Sequence, residues 1–331
     1  MRRRDFIVTA AAAGFSAFAA HAQESTRQRR IAIAIPGRFW TDGAKSNPYY
    51  GAFFEELARL GFFQGRNLVV DSYSSDGEDT YPEVARAVAM SQPEIILAGT
   101  SQMINALQAA TTRIVPIVGI VGDPIADGLV SSLARPGANV TGITVDGGVE
   151  LVGKRLSLLS EIRPNATRVA YLSSSAALRQ PQTAMLKQVA ETLKLSLSHI
   201  DLESLNEEAC RAASDSIQKA KADLLMIAEE PVHLSNTRAL VGIARNAQIP
   251  ATYPFREFVV AGGLMAYSLD GISGIRQAAQ QVAQILNGAN PAEMPFRQPT
   301  SFKLSINTTA AREIGVVLPA TLLASADEVI E

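Results

Sequence analysis

The chain of 331 residues holds one cysteine, Cys210, three histidines and one tryptophan. A lone thiol excludes an intramolecular disulfide, and so few cysteines and histidines leave no structural zinc site. Cys210 falls in a polar-rich helical pattern, where a surface thiol and a half-buried small hydrophobe both fit. No G-x-G-x-x-G follows the first predicted strand and no G-x-x-x-x-G-K is present, so the dinucleotide fingerprint and the phosphate loop are both missing. No cofactor and no metal are therefore expected. Basic residues are no excess either: 30 Lys and Arg stand against 32 Asp and Glu, a net charge of −2 that carries no footprint for nucleic acid. His199 near a strand end and His233 near a helix start lie far apart in sequence, in neither a zinc pattern nor a nucleophile elbow. No catalytic constellation shows itself, and the chain is expected not to be an enzyme.

What is present is a large apolar fraction, 47% of residues, in a chain long enough for two α/β domains. At the amino terminus, Arg2-Arg3-Arg4-Asp5-Phe6-Ile7-Val8 precedes an Ala-rich apolar stretch ending in Ala20-His21-Ala22. A basic head, a weak apolar middle and a small-x-small ending predict an export signal over residues 1–22, too short and too Ala-rich for a stable membrane helix. Arg3, Arg4, Phe6 and Ile7 also resemble the twin-arginine export signal. Cleavage would remove three basic residues and one acidic residue, leaving 27 against 31 and a charge of −4. Export without a lipid-anchoring cysteine predicts a free periplasmic protein.

The chain is organised around Arg113 to Thr144. Ile114 to Val121 is a short run of branched apolar residues, read as a buried parallel strand. It ends at Gly122-Asp123-Pro124, where Asp123 can accept from a following N–H and Pro124 suits the first turn of a helix. Asn139 to Thr144 is the next strand. Before this stretch, strands are predicted at 30–35, 67–73 and 93–98, with helices at 48–60 and from residue 79 or 80 to 90. After it, a helix at 150–162 leads to strands at 167–172, 195–200 and 223–228, separated by helices at 180–193 and 206–220. A helix at 234–246 and strands ending near Tyr253 and Tyr267 follow. A helix at 272–286, a Pro-rich hinge-like connection, a strand at 302–306 and a helix at 308–314 complete the pattern, with the tail to Glu331 packing across the two lobes.

Two runs of strand-helix pairs predict two doubly wound Rossmann-like lobes, one from 28–144 plus about 270–300, the other from 145–269 plus about 301–331, with a ligand cleft between them. Ligands of open α/β sheets sit beyond the carboxyl ends of strands. That rule selects Thr100, Ser101, Gly122, Asp123 and Thr144 in the first lobe, and Glu229 and Glu230 in the second. Each has an ordinary alternative. Thr100 or Ser101 can cap its own helix, the acids can cap or be solvated, and Tyr253 and Tyr267 can be core aromatics rather than stacking walls. Asp123 with Glu229 or Glu230 also offers paired carboxylates for a hydrolase, at a separation that sequence does not fix. The Ala- and Leu-rich helix faces read as lobe cores, so a monomer is expected.

Gly122-Asp123-Pro124, Gly128-Leu129-Val130 and Arg135-Pro136-Gly137-Ala138-Asn139-Val140-Thr141-Gly142 resemble the signature of ABC transporter substrate-binding proteins that include tryptophan- and tyrosine-associated uptake components. Lys154-Arg155-Leu156, Arg256-Glu257-Phe258, Ala261-Gly262-Gly263-Leu264-Met265, Asn307 through Gly315 and Pro319 through Ile330 extend the resemblance over nearly all of the chain after the export segment. It implies a periplasmic-binding fold of type I that closes over a small carboxylate-bearing solute, an amino acid or aromatic acid, and delivers it to an inner-membrane permease. A sensor partner, and less favourably a periplasmic hydrolase, are the alternatives. Mapped onto this chain, the implied solute-binding residues are Trp40, Thr100, Ser101, Gly122, Asp123, Ser173, Ser175, Glu230, Tyr253 and Tyr267. The Ala228-Glu229-Glu230-Pro231 segment departs from the family's usual residues there. In the implied mechanism Thr100, Ser101 and nearby amides receive the solute carboxylate, Asp123 or Glu230 pairs with an amine, and Trp40, Tyr253 or Tyr267 stacks on an apolar side chain.

Overall fold

A computed structural model describes residues 28–35, 47–75, 78–111, 115–234 and 236–331. The export segment, Phe39 and Trp40 lie outside the described residues. The chain divides into two compact units, Met1–Asp146 with Gly271–Pro299, and Gly147–Asp270 with Thr300–Glu331.

Unit 1 is built on five parallel strands, β1 (Arg29–Ala34), β2 (Leu68–Tyr73), β3 (Ile95–Gly99), β4 (Ile117–Val121) and β5 (Val140–Thr144), in the order β2-β1-β3-β4-β5. Their continuous branched apolar runs suit a sheet covered on both faces. On one face lie α1 (Pro48–Arg59) and α10 (Gly271–Leu286), which bury Phe53, Leu57, Ile275, Ala279 and Val282 against Ile31, Ile33 and Leu97. On the other, α2 (Tyr81–Met90) and α3 (Ser101–Ala110) bury Ala85, Val88, Met103, Ile104 and Leu107 against Ile96 and Val121. Helix α1 starts where the Asn47 side chain accepts from the amides of Tyr49 and Tyr50, with Pro48 at its first turn. Gly119 and Gly142 are register partners on β4 and β5. A Cβ built on Gly142, whose φ is +155°, would stand 2.0 Å from the Gly119 carbonyl oxygen, so Gly142 is glycine because the two backbones touch there, while a Cβ on Gly119 would meet Ile104 Cδ1 at 2.9 Å.

Unit 2 carries seven strands: β6 (Arg168–Ser173), β7 (Ser196–Asp201), β8 (Leu224–Ile227), β9 (Ala251–Tyr253), β10 (Met265–Leu269), β11 (Phe302–Asn307) and β12 (Glu328–Ile330), in the order β12-β11-β10-β9-β8-β6-β7. All pairings are parallel except β10 with β11. Helices α4 (Glu150–Ile162), α5 (Pro181–Thr192), α11 (Thr308–Glu313) and α12 (Ala320–Ala324) cover one face. The other is covered by α6 (Glu207–Lys219), α8 (Thr237–Ala247) and α9 (Arg256–Val260). Both sheets begin alike: the second strand lies on one side of the first and later strands on the other, so the winding reverses between β1 and β3 and again between β6 and β8.

Four expectations from the sequence change. Pro124 does not open a helix: Asp123 accepts from the amides of Ile125 and Ala126 as a cap would, yet the chain makes only turns before Gly128, at φ +71°, redirects it. The helix expected at 234–246 is two elements, α7 (Pro231–Leu234) and α8, whose start is at Thr237. Tyr267 is the middle residue of β10 rather than a strand exit. The carboxyl-terminal tail becomes α12 and β12 of unit 2, pairing in parallel with β11.

Candidate functional site

The reversal points single out the exits of β1 and β3 in unit 1, and of β6 and β8 in unit 2, as the crevices where open α/β sheets take ligands. At the β3 exit, Gly99 leads into Thr100, whose backbone sits at φ 61° and ψ 145°, a region that side chains strongly disfavour. Thr100 Oγ1 accepts from the Met103 amide at 3.2 Å and so caps α3. Buried Ser101 follows and donates its hydroxyl to Asp127 Oδ2. At the β4 exit, Asp123 Oδ1 accepts from the amides of Ile125 and Ala126, both at 3.0 Å. Thr144, which ends β5, is buried, and its hydroxyl has no hydrogen-bond partner among the described residues. Four of the anticipated residues, Thr100, Ser101, Gly122 and Asp123, thus stand on adjacent strand exits of unit 1. Asp127, the partner of Ser101, was not anticipated.

In unit 2 the β6 exit is Ser173-Ser174-Ser175. Ser173 is fully buried and donates its hydroxyl to the Ser174 carbonyl at 3.1 Å. His199 Nε2 lies 3.1 Å from both the carbonyl and the hydroxyl oxygen of Ser173, but a buried hydroxyl already donating to a carbonyl is not presented as a nucleophile. Ser174 donates its amide to Glu230 Oε1 at 2.9 Å and its hydroxyl to Glu230 Oε2 at 2.6 Å, bridging the β6 and β8 exits. Ser175 donates its amide to Glu203 at 2.7 Å and its hydroxyl to Asp201 at 3.0 Å. Behind Glu230, His233 is 1% exposed, its Nδ1 2.8 Å from the Ala228 carbonyl and its Nε2 3.7 Å from Glu230 Oε1. A carbonyl only accepts, so Nδ1 carries the proton.

Arg155, on α4, is 3% exposed and reaches three adjacent strands at once, two just past their ends and one at its middle. Its Nε donates to the Tyr267 carbonyl at 2.8 Å, its Nη2 to the Pro254 carbonyl at 3.0 Å and its Nη1 to Glu229 Oε2 at 2.7 Å. Burial raises the Tyr171 phenol above its ordinary range, and the charges of Glu230 and Glu229 add to that while Arg155 opposes it.

The two expected tyrosines separate. Tyr253 is 1% exposed, stacked on Phe258 at 5.0 Å between centroids, and burial pushes its phenol well above the usual range. Gly263 is what admits the ring: a Cβ there would lie 2.6 Å from Tyr253 Cε2. Tyr253 is therefore a core residue of unit 2 and offers no stacking wall. Tyr267 is half-buried and stacks on Phe302 at 5.9 Å. Trp40 lies outside the described residues. Ser174, Arg155 and His233 were missed as site residues, since their roles depend on partners 56, 74 and 5 positions away. Among the described residues no group of three or more His, Cys, Asp or Glu side chains is placed to hold a metal ion, and no helix is long and apolar enough to cross a membrane.

A family model described as ABC transporter substrate binding protein matches residues 43–330. The chain is 22% identical over 257 residues to a tyrosine-binding protein of Clostridioides difficile, covering 77% of this chain and 73% of that one. Among solved structures, a conserved domain protein from Vibrio cholerae aligns with a TM-score of 0.76 at 23% identity, covering 92% of this chain and 100% of that one. An ABC domain in complex with L-Trp from Streptococcus pneumoniae aligns with a TM-score of 0.76 at 21% identity, with the same coverage of 92% and 100%. These likenesses establish the fold as the type I periplasmic-binding arrangement of two α/β units anticipated from the sequence.

Proposed function

The chain belongs to the family of ABC transporter substrate-binding proteins, and from this we propose that it is the periplasmic component of an uptake system that binds an amino acid, an aromatic one first, and passes it unchanged to a membrane permease. The observation that carries the reading is the family match over residues 43–330. The names of two similar proteins, one tyrosine-binding and one in complex with L-Trp, support the solute class. The predicted export signal supports the periplasm.

The strand-exit chemistry supports the same class. In unit 1, the Thr100-Ser101 start of α3 and the Gly122-Asp123 turn supply hydroxyls, amides and a carboxylate. In unit 2, Ser174 and Ser175 have their donors satisfied by Glu230, Glu203 and Asp201. That edge is acidic, and it suits a solute that brings an ammonium, because a buried cation needs a carboxylate in place of its lost hydration. Among the described residues neither edge presents a nucleophile, which fits a protein that returns its solute without turnover. Protein purified from its native cells and unfolded should release a stoichiometric aromatic amino acid, read by mass spectrometry. Release of a chemically altered product, after addition of a candidate, would refute binding without turnover.

A further inference from the structure

Two adjacent acids leave β8, and they are used differently. Glu230 gives both carboxylate oxygens to Ser174. Glu229 accepts from Arg155 with Oε2 at 2.7 Å, while its Oε1 has no hydrogen bond among the described residues and its side chain is 36% exposed. The exit of β8 thus presents one carboxylate oxygen left over from the ion pair with Arg155, on a partly exposed side chain.

The orientation comes from Arg155. A guanidinium that is 3% exposed loses most of its hydration, a large cost unless partners replace the water. Replacing a buried ion pair with apolar side chains is often neutral or stabilising, so the burial of Arg155 is weak evidence for a purely stabilising role. Its three acceptors are the carbonyls of Pro254 and Tyr267 and the carboxylate of Glu229, following β9, within β10 and following β8. One rigid fork therefore sets three adjacent strands of the solute edge relative to one another. Its charge weakens the pull of Glu229 on a second cation, but two carbonyls share that charge.

Building on the solute-binding reading above, we propose that the solute's ammonium is received by Glu229, and that Arg155 is the positioning residue that aims it. The test is calorimetric titration of the whole chain with L-tryptophan and L-tyrosine and, for contrast, with indole-3-propionate, which lacks the amine. Glu229→Gln should weaken L-tryptophan at least tenfold and leave indole-3-propionate within twofold. Arg155→Lys keeps a charge but cannot span three acceptors, and should weaken the amino acid by an intermediate factor with the same selectivity for the amine. An amine-selective loss in Glu230→Gln with none in Glu229→Gln would hand the role to Glu230 and overturn the assignment. Equal losses for both ligands in Glu229→Gln, or no loss in either, would overturn the assignment while leaving solute binding intact. A wild-type chain that binds neither amino acid would instead overturn the solute class, and this inference with it.

Discussion

Ser174 donates both its amide and its hydroxyl to the carboxylate of Glu230, at 2.9 and 2.6 Å, and so joins the exits of β6 and β8 where the winding of unit 2 reverses. Hydrogen bonds to a charged group contribute more than neutral ones, roughly 1.5–3 kcal/mol each at most. Glu230→Ala strands both donors and should destabilise unit 2 by about 2 kcal/mol. Glu230→Gln retains one acceptor oxygen and should cost about half as much. Urea unfolding of the two variants checks the order; equal midpoints would show that the bridge contributes nothing.

Thr100 holds a backbone conformation, φ 61° and ψ 145°, that suits glycine. Such strain costs on the order of 1–3 kcal/mol, while the hydroxyl regains part of it by capping α3. Thr100→Ala keeps the strain and loses the cap; Thr100→Gly loses the cap but relieves the strain. The glycine variant should be more stable than the alanine variant by about 1 kcal/mol, as thermal unfolding would report. The reverse order would mean that the backbone there is unstrained.

Gly142 cannot acquire a side chain without parting β4 from β5, because its Cβ would overlap the Gly119 carbonyl at 2.0 Å and its φ is +155°. Gly142→Ala should cost about 3 kcal/mol or more and lower amide protection along both strands. Wild-type hydrogen exchange at Ile120 and Ile143, which are register partners, would contradict that close contact.

Glu56 is buried on α1, and hydrogen bonds from Arg59 and then Gln280 lower its pKa from 4.5 to about 2. A carboxylate with a depressed folded pKa contributes stability that is fully present above its unfolded value and lost as pH falls through the folded one. The contribution should therefore hold above pH 4.5 and disappear between pH 4.5 and about 2. Glu56→Gln should flatten that limb of the stability profile with little change in its shape at neutral pH. An acid limb identical to wild type would remove Glu56 from the account of acid sensitivity.

The strands and helices were legible because period and punctuation agree: Pro48 after a capping Asn47 starts α1, and Asn206 caps α6 by accepting from the Ala209 amide at 2.8 Å. The failures are local signals overridden by neighbours. Asp123-Pro124 has the chemistry of a helix start, but only turns precede Gly128. The sequence placed Tyr253 correctly at the end of β9 and could not show that Gly263 clears room for its ring in the core. Strand exits other than that of β10 could be located from the sequence, whereas the pairing of Ser174 with Glu230 and of Arg155 on α4 with Glu229 depends on which elements become neighbours, and that is set by strand order.

The most direct measurement is calorimetric titration of the purified chain with a panel of free amino acids, followed by recovery and chemical analysis of the added solute. Saturable one-to-one binding of an aromatic amino acid, recovered unchanged, is the predicted result. No binding across the panel, or conversion of the added solute to a product, would contradict a solute carrier for amino acids.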